Sequence, residues 1–337
     1  MTRKEYTVLI FTLFLVFLTF TPAMAGQDTP ANWKTICEGL STVTFPAEDS
    51  PGPKDIKDLK DCSAYDLYYG ISQPVNPVKA RLCAYSQMTN PRDEGPFDKT
   101  AILMTIYANG IGAKRNFDLA IKLACSTDGA PMEIEGRVLR LAKLKAKNWK
   151  GTDFSLCDDV SSGYLAGYCA DHRERFASKY REHKINKIQV KWSARDKKEL
   201  AALAKVAYSY FDIHADNEID QGGTARTAMY IDDKAGAQEN FLKILELLEQ
   251  GKFPRYPSAQ FLAVDSQLNS LYQNIQKNPE PEWGTVTKEN IKITQRAWIK
   301  YRDAWVKFCA KKYPDVSADC VRSYLTLQRI KELEEFN

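Results

Sequence analysis

The apolar positions of this chain recur mainly at the three- and four-residue spacing of amphipathic helices. Four aromatic residues near the C-terminus fall at intervals of three, four and three, and so share one helical face: Trp298, Tyr301, Trp305 and Phe308. Comparable apolar stripes occupy residues 200–211, 235–250, 258–275 and 321–333. One alternating stretch, residues 185–192, fits a single strand or an extended linker, and we interpret it as a linker at a domain boundary. The pattern predicts an all-α fold.

Polar residues at the predicted helix ends support this interpretation. Ser193 stands three residues before Asp196 and predicts an N-cap, and Ser258 can cap the helix that follows it. Gly251 is suited to end the helix over residues 235–250. Thr285 or Thr287 begins the aromatic helix.

A repeat of forty residues marks the first half of the chain. Five positions recur at this offset: Gly70, Ile71, Asn76, Ala80 and Ala84 return as Gly110, Ile111, Asn116, Ala120 and Ala124. A period of this length is typical of helical-hairpin solenoids. Each unit is predicted to be a helix, a glycine-containing turn and a second helix whose small alanines allow close packing.

The residues of the second unit resemble a known repeat. Tyr107-Ala108-Asn109-Gly110-Ile111-Gly112, followed by Asn116-Phe117-Asp118-Leu119-Ala120, is similar to the Sel-like repeat, a relative of the tetratricopeptide repeat. The resemblance covers residues 63–180, and we assign a repeat domain to residues 63–185. It implies an array that binds other proteins, although a stacked pair of hairpins can also be a scaffold alone.

The N-terminus has the features of a signal peptide. Arg3 and Lys4 precede an apolar run from Val8 to Phe20, which is shorter than the roughly 20 residues of a spanning helix. Ala23-Met24-Ala25 supplies a cleavage site, so we expect residues 1–25 to be removed, with export to the periplasm or the medium and no membrane anchor. Residues 26–62, which carry Pro46, Pro51 and Pro53, are predicted to be irregular.

Eight cysteines agree with export. An even set in an oxidising compartment favours disulfides, and the short loops favour Cys157–Cys169 and Cys309–Cys320. The sequence leaves open the pairing of the other four, which are Cys37, Cys62, Cys83 and Cys125. A zinc site is not expected, because Cys169 with His172 supplies two of the four ligands that it needs.

Composition argues against several function classes. Lys and Arg total 47 against 43 Asp and Glu, a formal net charge of +4, without the clustered basic surface of a nucleic-acid-binding protein. The chain has three histidines and no recognisable hydrolase, metalloprotease or phosphate-loop motif, so we predict neither an enzyme nor a cofactor.

An acidic stretch over residues 212–233 is the candidate binding surface. It contains Asp212, Asp216, Glu218 and Asp220. The last three are spaced as in an EF-hand loop, but the glycine stands at Gly222 and Thr227 takes the place of the bidentate glutamate, so no metal is predicted. Alternatively, Glu218 and Asp220 pair with Arg226 to fix the turn.

Three sequence blocks stand out in the C-terminal half, within a domain that we assign to residues 190–337. The first is D-x-x-L-N-x-x-Y, with Asp265, Leu268, Asn269 and Tyr272. The second is Q-R-x-W-x-x-Y-R-D, with Gln295, Arg296, Trp298, Tyr301, Arg302 and Asp303. The third comprises Cys320, Leu325-Thr326, Arg329 and Leu333. Over residues 257–335 these blocks resemble the lysozyme-inhibitor LprI family, with Cys309 where the first cysteine of the family is expected. Trp305 departs from the family pattern, which is usually less aromatic at this place.

The resemblance implies a small exported helical domain that, in at least some members, inhibits lysozyme. The motif residues themselves are interpreted as structural, with Arg302 paired to Asp265 or Glu332, because a buried guanidinium must be compensated. We therefore expect an exported binding protein that inhibits lysozyme or another muramidase non-covalently. The alternative is an envelope interaction module that acts through its repeats without inhibiting lysozyme.

Overall fold

The structure is a computed structural model and describes residues 32–88, 95–257 and 259–337. Within these ranges the regular elements are all helical, which confirms the all-α prediction. The predicted signal peptide and the predicted cap Ser258 lie outside the described residues. Among the helices that the structure describes, none is both long and apolar enough to cross a membrane.

The first seven α-helices build the repeat half and a long connector. They are α1 Trp33–Gly39, α2 Ala64–Tyr69, α3 Pro77–Gln87, α4 Lys99–Asn109, α5 Phe117–Ala124, α6 Pro131–Ala146 and α7 Gly163–Ile188. Five more form the C-terminal bundle: α8 Ala194–Glu218, α9 Arg226–Glu249, α10 Gln260–Lys277, α11 Lys288–Lys312 and α12 Ala318–Leu333. Short 3-10 turns lie at Ala47–Asp49, Ile56–Leu59, Leu156–Asp159, Gln189–Lys191 and Glu334–Phe336.

The forty-residue period corresponds to two helical hairpins with the same turn. Gly70 ends α2 at φ 70°, and Gly110 ends α4 at φ 68°, a left-handed conformation that favours glycine. Asn76 and Asn116 then cap α3 and α5 through their side chains. The backbone N–H groups of these two asparagines donate to carbonyl groups of the preceding helices, at 2.7 Å and 3.0 Å respectively. The Sel-like resemblance of these hairpins stays a prediction.

Three disulfides hold the repeat half together. They join Cys37 to Cys125, Cys62 to Cys83 and Cys157 to Cys169. The predicted Cys157–Cys169 bond is confirmed, and the structure supplies the pairing that the sequence left open. Cys37–Cys125 ties α1 to the end of α5, so residues 32–62, the part of this segment that the structure describes, are less irregular than their prolines indicate.

The predicted Cys309–Cys320 disulfide is wrong in this structure. Both cysteines are free and buried. The Cys320 Sγ lies 3.3 Å from the backbone N of Tyr256 and 3.7 Å from its carbonyl O, so it faces the segment before α10. Helices α11 and α12 are therefore held by packing, and the C-terminal domain is a helical bundle without a disulfide staple.

Helix also replaces the predicted linker over residues 185–192. Helix α7 runs to Ile188, and the turn Gln189–Lys191 follows it. Ile185 and Ile188 on α7, and Trp192 directly after the turn, all pack against the C-terminal core. The apolar and polar residues of this segment alternate over too few positions to show that the segment begins as part of a helix.

Two hydrophobic cores lie along the chain. The first uses residues between Leu59 and Cys169, and the second uses residues between Trp192 and Phe336. The aromatic stripe of α11 lies in the second core, as predicted. Trp305 is fully buried with its ring 5.0 Å from that of Phe241 on α9.

Candidate functional site

The four acidic residues predicted to form a surface have different environments. Asp212 is exposed and lies 2.7 Å from the Lys234 Nζ, and Asp216 is exposed. Asp220 lies in the loop after α8. The side chain of Glu218 is only 1% exposed, so its prediction as a surface residue is wrong. The alternative prediction, in which Glu218 pairs with Arg226, is also wrong. Glu218 pairs with Arg329, and Arg226 donates to the Gly223 carbonyl.

Arg329 of α12 is the reason that Glu218 is buried. The two guanidinium Nη atoms donate to the two Glu218 carboxylate oxygens at 2.7 Å and 2.5 Å. Arg329 Nε donates to Gln295 Oε1 at 2.9 Å, and Nη1 also donates to Glu332 at 3.0 Å. Burial alone would raise the pKa of Glu218, but the charge and hydrogen bonds of Arg329 outweigh it and lower the pKa to about 2. The pair links the ends of α8 and α12.

His214 extends this buried cluster to α9. Its Nδ1 lies 2.9 Å from Asp233 Oδ2, and its Nε2 lies 3.3 Å from Glu218 Oε2. Burial opposes the charged imidazolium, but hydrogen bonds to Asp233 and Glu218 raise the pKa of His214 to about 10. The ring is therefore protonated at neutral pH. It lines a cavity of about 440 Å³ beside Asp233 and Glu332, but a protonated histidine cannot act there as a general base.

A second contact joins two surface loops at the same end of the bundle. Asp220 Oδ1 accepts hydrogen bonds from the N–H groups of Gly222 and Thr285, at 2.9 Å and 3.0 Å, and from the Thr285 hydroxyl at 2.9 Å. These bonds lower the pKa of Asp220. Gly284 has φ 61°, and a Cβ there would lie 2.3 Å from Asp220 Oδ2, so the approach of the loops requires glycine.

A third segment is attached by aromatic packing. The Trp283 ring lies 5.6 Å from that of Phe336, which brings the turn Glu334–Phe336 beside the loop after α10. We call this end of the bundle the acidic end and define it by residues 216–226, 277–288 and 331–337. The three segments contain eight carboxylates and four cationic side chains. Apart from Glu218 and Glu332, the carboxylates belong to Asp216, Asp220, Glu280, Glu282, Glu334 and Glu335.

Sequence reasoning found part of this surface and missed the rest. Asp216 and Asp220 were predicted, whereas Glu280, Glu282, Glu334 and Glu335 were not, although all four are exposed. No local pattern connects these segments. The usable signal was a pair of glutamates in each of two further segments, Glu280 and Glu282 before the aromatic helix and Glu334 and Glu335 near the C-terminus.

The motif residues of α10 and α11 have mainly structural contacts. Arg302 lies 3.7 Å from Asp265 and 3.1 Å from Asp303, and its guanidinium lies over the Trp298 ring at 5.2 Å. The Asp265 alternative for Arg302 is therefore the correct one. The Asn269 amide donates to Asp265 at 3.1 Å. The remaining motif side chains divide by burial: Leu268, Trp298, Tyr301 and Arg329 are buried, Gln295 and Tyr272 are half-buried, and Arg296 is exposed.

Among the described residues, no group of three or more His, Cys, Asp or Glu side chains could hold a metal ion. The EF-hand-like spacing does not form a loop of converging ligands, because Glu218 faces Arg329. The geometry of this site is that of a protein surface supported by a buried ion-pair cluster.

Residues 255–333 match the family model described as Lysozyme inhibitor LprI. The match contains α10, α11 and α12, and with them Gln295 and Arg329 of the buried cluster. No curated protein matches the chain, and no solved structure matches it. The match indicates a binding protein of the lysozyme-inhibitor type, and the three disulfides are typical of an extracytoplasmic protein.

Proposed function

We propose that this protein binds lysozyme non-covalently, inhibits it, and does so through the acidic end of its C-terminal bundle. The observation that supports this is that one segment of the acidic end lies inside the region that matches the inhibitor family, and a second segment is held by a residue of that region. The loop with Glu280 and Glu282 lies inside the match, and the motif residue Arg329 fixes the neighbouring loop through Glu218.

The charge of the acidic end favours it as the surface that contacts lysozyme. Lysozymes are commonly very basic proteins, and complementary charge speeds their encounter with an acidic surface and selects the partner. The chain as a whole has a formal net charge of +4, so the acidic end is a local feature. The lysozyme cleft itself contains two catalytic carboxylates, which would repel inserted glutamates. We infer that the acidic end contacts basic residues around the cleft and covers its entrance.

The proposal includes export, because lysozyme acts outside the cytoplasm. The signal peptide over residues 1–25 would direct the chain to the periplasm or the medium, where disulfides form. N-terminal sequencing of the protein from a periplasmic extract tests this part directly. We expect a mature chain that begins at Gly26, and an intact Met1 in the exported fraction would contradict it.

The central test is inhibition of lysozyme in a cell-wall turbidity assay. We expect Glu280→Lys with Glu282→Lys to weaken inhibition by about tenfold or more, which corresponds to about 1.4 kcal/mol. The matched control is Glu135→Lys with Glu182→Lys, because these exposed residues of α6 and α7 give the same change in net charge. The control should inhibit like the wild type, and inhibition by the wild type should fall with added salt.

Two results would count against the proposal in different ways. Unchanged inhibition by the loop variant would move the contact surface away from the acidic end. A wild-type protein that inhibits no lysozyme of animal, bacterial or phage origin would contradict the function itself.

A second candidate function rests on exposed aromatic residues of α7. Tyr164 with Tyr168 and Phe176 with Tyr180 form two pairs, each one helical turn apart, and the four side chains are between 39% and 55% exposed. Aromatic residues are enriched in protein interfaces, so these pairs support docking of a further protein to the repeat half. A photo-crosslinking residue at Tyr180 should capture a discrete partner in cells, whereas one at Glu135 should not. Equal crosslinking at both positions would contradict this function.

A further inference from the structure

A groove runs between α8 and α11 on the side of the bundle. Its volume is about 480 Å³. Its floor is apolar and consists of Val206 and Ile213 from α8 with Ile293 and Ala297 from α11. Ile293 is 40% exposed, so the apolar floor reaches the surface of the bundle.

The lining is completed by Ser209 and by three cations, namely Lys205, Arg296 and Lys300. All three are exposed, and the described residues provide no ion pair for any of them. Three of the carboxylates on the same two helices have other partners. Glu289 pairs with Lys292 at 2.9 Å, Asp303 with Arg302 at 3.1 Å and Asp212 with Lys234 at 2.7 Å.

The groove is polarised from end to end. Helices α8 and α11 are antiparallel, because Asn217 bonds to Asn290 at one end and Glu199 pairs with Lys311 at the other. This register places Lys205 and Lys300 towards one end of the groove, Arg296 level with Ile213, and Ile293 at the other end. The three cations therefore extend from the Lys300 end to the middle of the groove, and the turn with Ile293 is apolar.

The cationic end favours a bound anion. Neighbouring like charges repel, and an anion between Lys205 and Lys300 would remove that repulsion. Arg296 adds planar donors that suit phosphate oxygens. Its neighbour Gln295 holds Arg329 inside the bundle, whereas Arg296 has no internal partner among the described residues.

We propose that this groove binds one molecule of an anionic phospholipid. The phosphate lies among Lys205, Arg296 and Lys300, and an acyl chain lies along the floor towards Ile213 and Ile293. This occupant matches both the charge and the polarity of the groove. An acidic amphipathic helix fits less well, because it needs cations along its whole length and the turn with Ile293 adds none to the lining.

Binding is measured by titration calorimetry on the full chain with a short-chain phosphatidylglycerol below its critical micelle concentration. We expect saturable binding that weakens by about tenfold or more in Lys205→Gln with Lys300→Gln, and similarly in Ile293→Ser. The control Lys143→Gln with Lys147→Gln removes two exposed lysines, one from α6 and one directly after it, and should bind like the wild type. Phosphatidylcholine of the same chain length and inorganic phosphate should both bind more weakly.

Each alternative has its own result. If the control variant loses as much lipid affinity as the groove variants, the lipid is held by general charge attraction. If inorganic phosphate binds as tightly as the lipid, the groove is an anion site that does not hold an acyl chain. Either result overturns the proposal. Saturable binding of an acidic amphipathic peptide, without binding of the lipid, would assign the groove to a protein partner. Lysozyme inhibition by the groove variants is expected to be unchanged, so this test is independent of the proposed function.

Discussion

Arg329 determines the roles of the acidic residues on α8. The sequence shows Asp212, Asp216 and Glu218 as similar carboxylates, and only the long-range pairing with Arg329 separates Glu218 from the other two. A guanidinium that is fully buried must be compensated, and Glu218 provides two oxygens in bidentate geometry. Sequence reasoning could not identify this pair, because the two residues lie 111 positions apart.

We expect Glu218→Gln to destabilise the C-terminal bundle by roughly 3–5 kcal/mol, since it leaves a buried guanidinium with an incomplete partner set. Asp212→Asn on the same helix is the matched control, and losing its surface ion pair should cost less than about 1 kcal/mol. Urea denaturation monitored by tryptophan fluorescence measures both values. Similar losses in the two variants would contradict the structural role assigned to Glu218.

The raised pKa of His214 predicts how the stability of the folded protein changes at alkaline pH. Its pKa is raised from 6.5 to about 10 in the folded protein. A raised pKa means that the folded state holds the proton more tightly than the unfolded state. The stabilisation is therefore complete below about pH 6.5 and is lost as the pH rises towards 10.

The variant His214→Gln isolates this effect from other alkaline titrations. The difference in unfolding free energy between wild type and variant should shrink steadily from pH 6.5 to pH 10. Denaturation at a series of pH values measures this difference. A difference that stays constant across the range would show that His214 is not held as an imidazolium.

At the scale of whole elements, the spacing of apolar and repeated residues predicted the helices well, but it predicted the contacts between helices less well. The forty-residue period identified both hairpins of the repeat half, because Gly70, Gly110, Asn76 and Asn116 specify the turn locally. The short loop between Cys309 and Cys320 suggested a bond that the structure does not contain. Sequence separation does not show which helix face carries a thiol, and Cys320 faces Tyr256.

Thiol titration tests the state of these two cysteines. After denaturation without reductant, we expect two reactive thiols per chain, from Cys309 and Cys320. The native protein should react slowly, because burial raises the pKa of Cys309 to about 12 and keeps it in the unreactive thiol form. Full reduction should release eight thiols as an internal standard. An absence of thiols in the unreduced, denatured protein would show that these cysteines form a disulfide.

At the scale of the molecule, the family match covers a shorter range of residues than the unit that folds around it. The match covers residues 255–333, but the core that contains its aromatic residues also needs α8 and α9. Tyr301 stacks on Tyr210 of α8 at 4.9 Å, and Trp305 packs against Phe241 of α9 at 5.0 Å. The motif identified α10 to α12 from sequence, whereas nothing local in α8 or α9 marks them as partners.

This dependence predicts which fragments fold. A fragment of residues 255–337 exposes the aromatic face of α11 and leaves Arg329 without Glu218. Removing one partner of such a pair alone costs about 3–5 kcal/mol, a large part of the 5–15 kcal/mol that stabilises a typical domain. We therefore expect it to unfold without cooperativity, with weak near-ultraviolet circular dichroism.

The matched fragment of residues 190–337 restores α8 and α9 and should unfold cooperatively. Thermal denaturation of both fragments, followed in the near- and far-ultraviolet, distinguishes the two expectations. Cooperative unfolding of residues 255–337 would show that the matched helices form a domain without α8 and α9. In that case Glu218 and the loop after α8 would be additions to the inhibitor-like unit, and the acidic end would lose its structural link to Arg329.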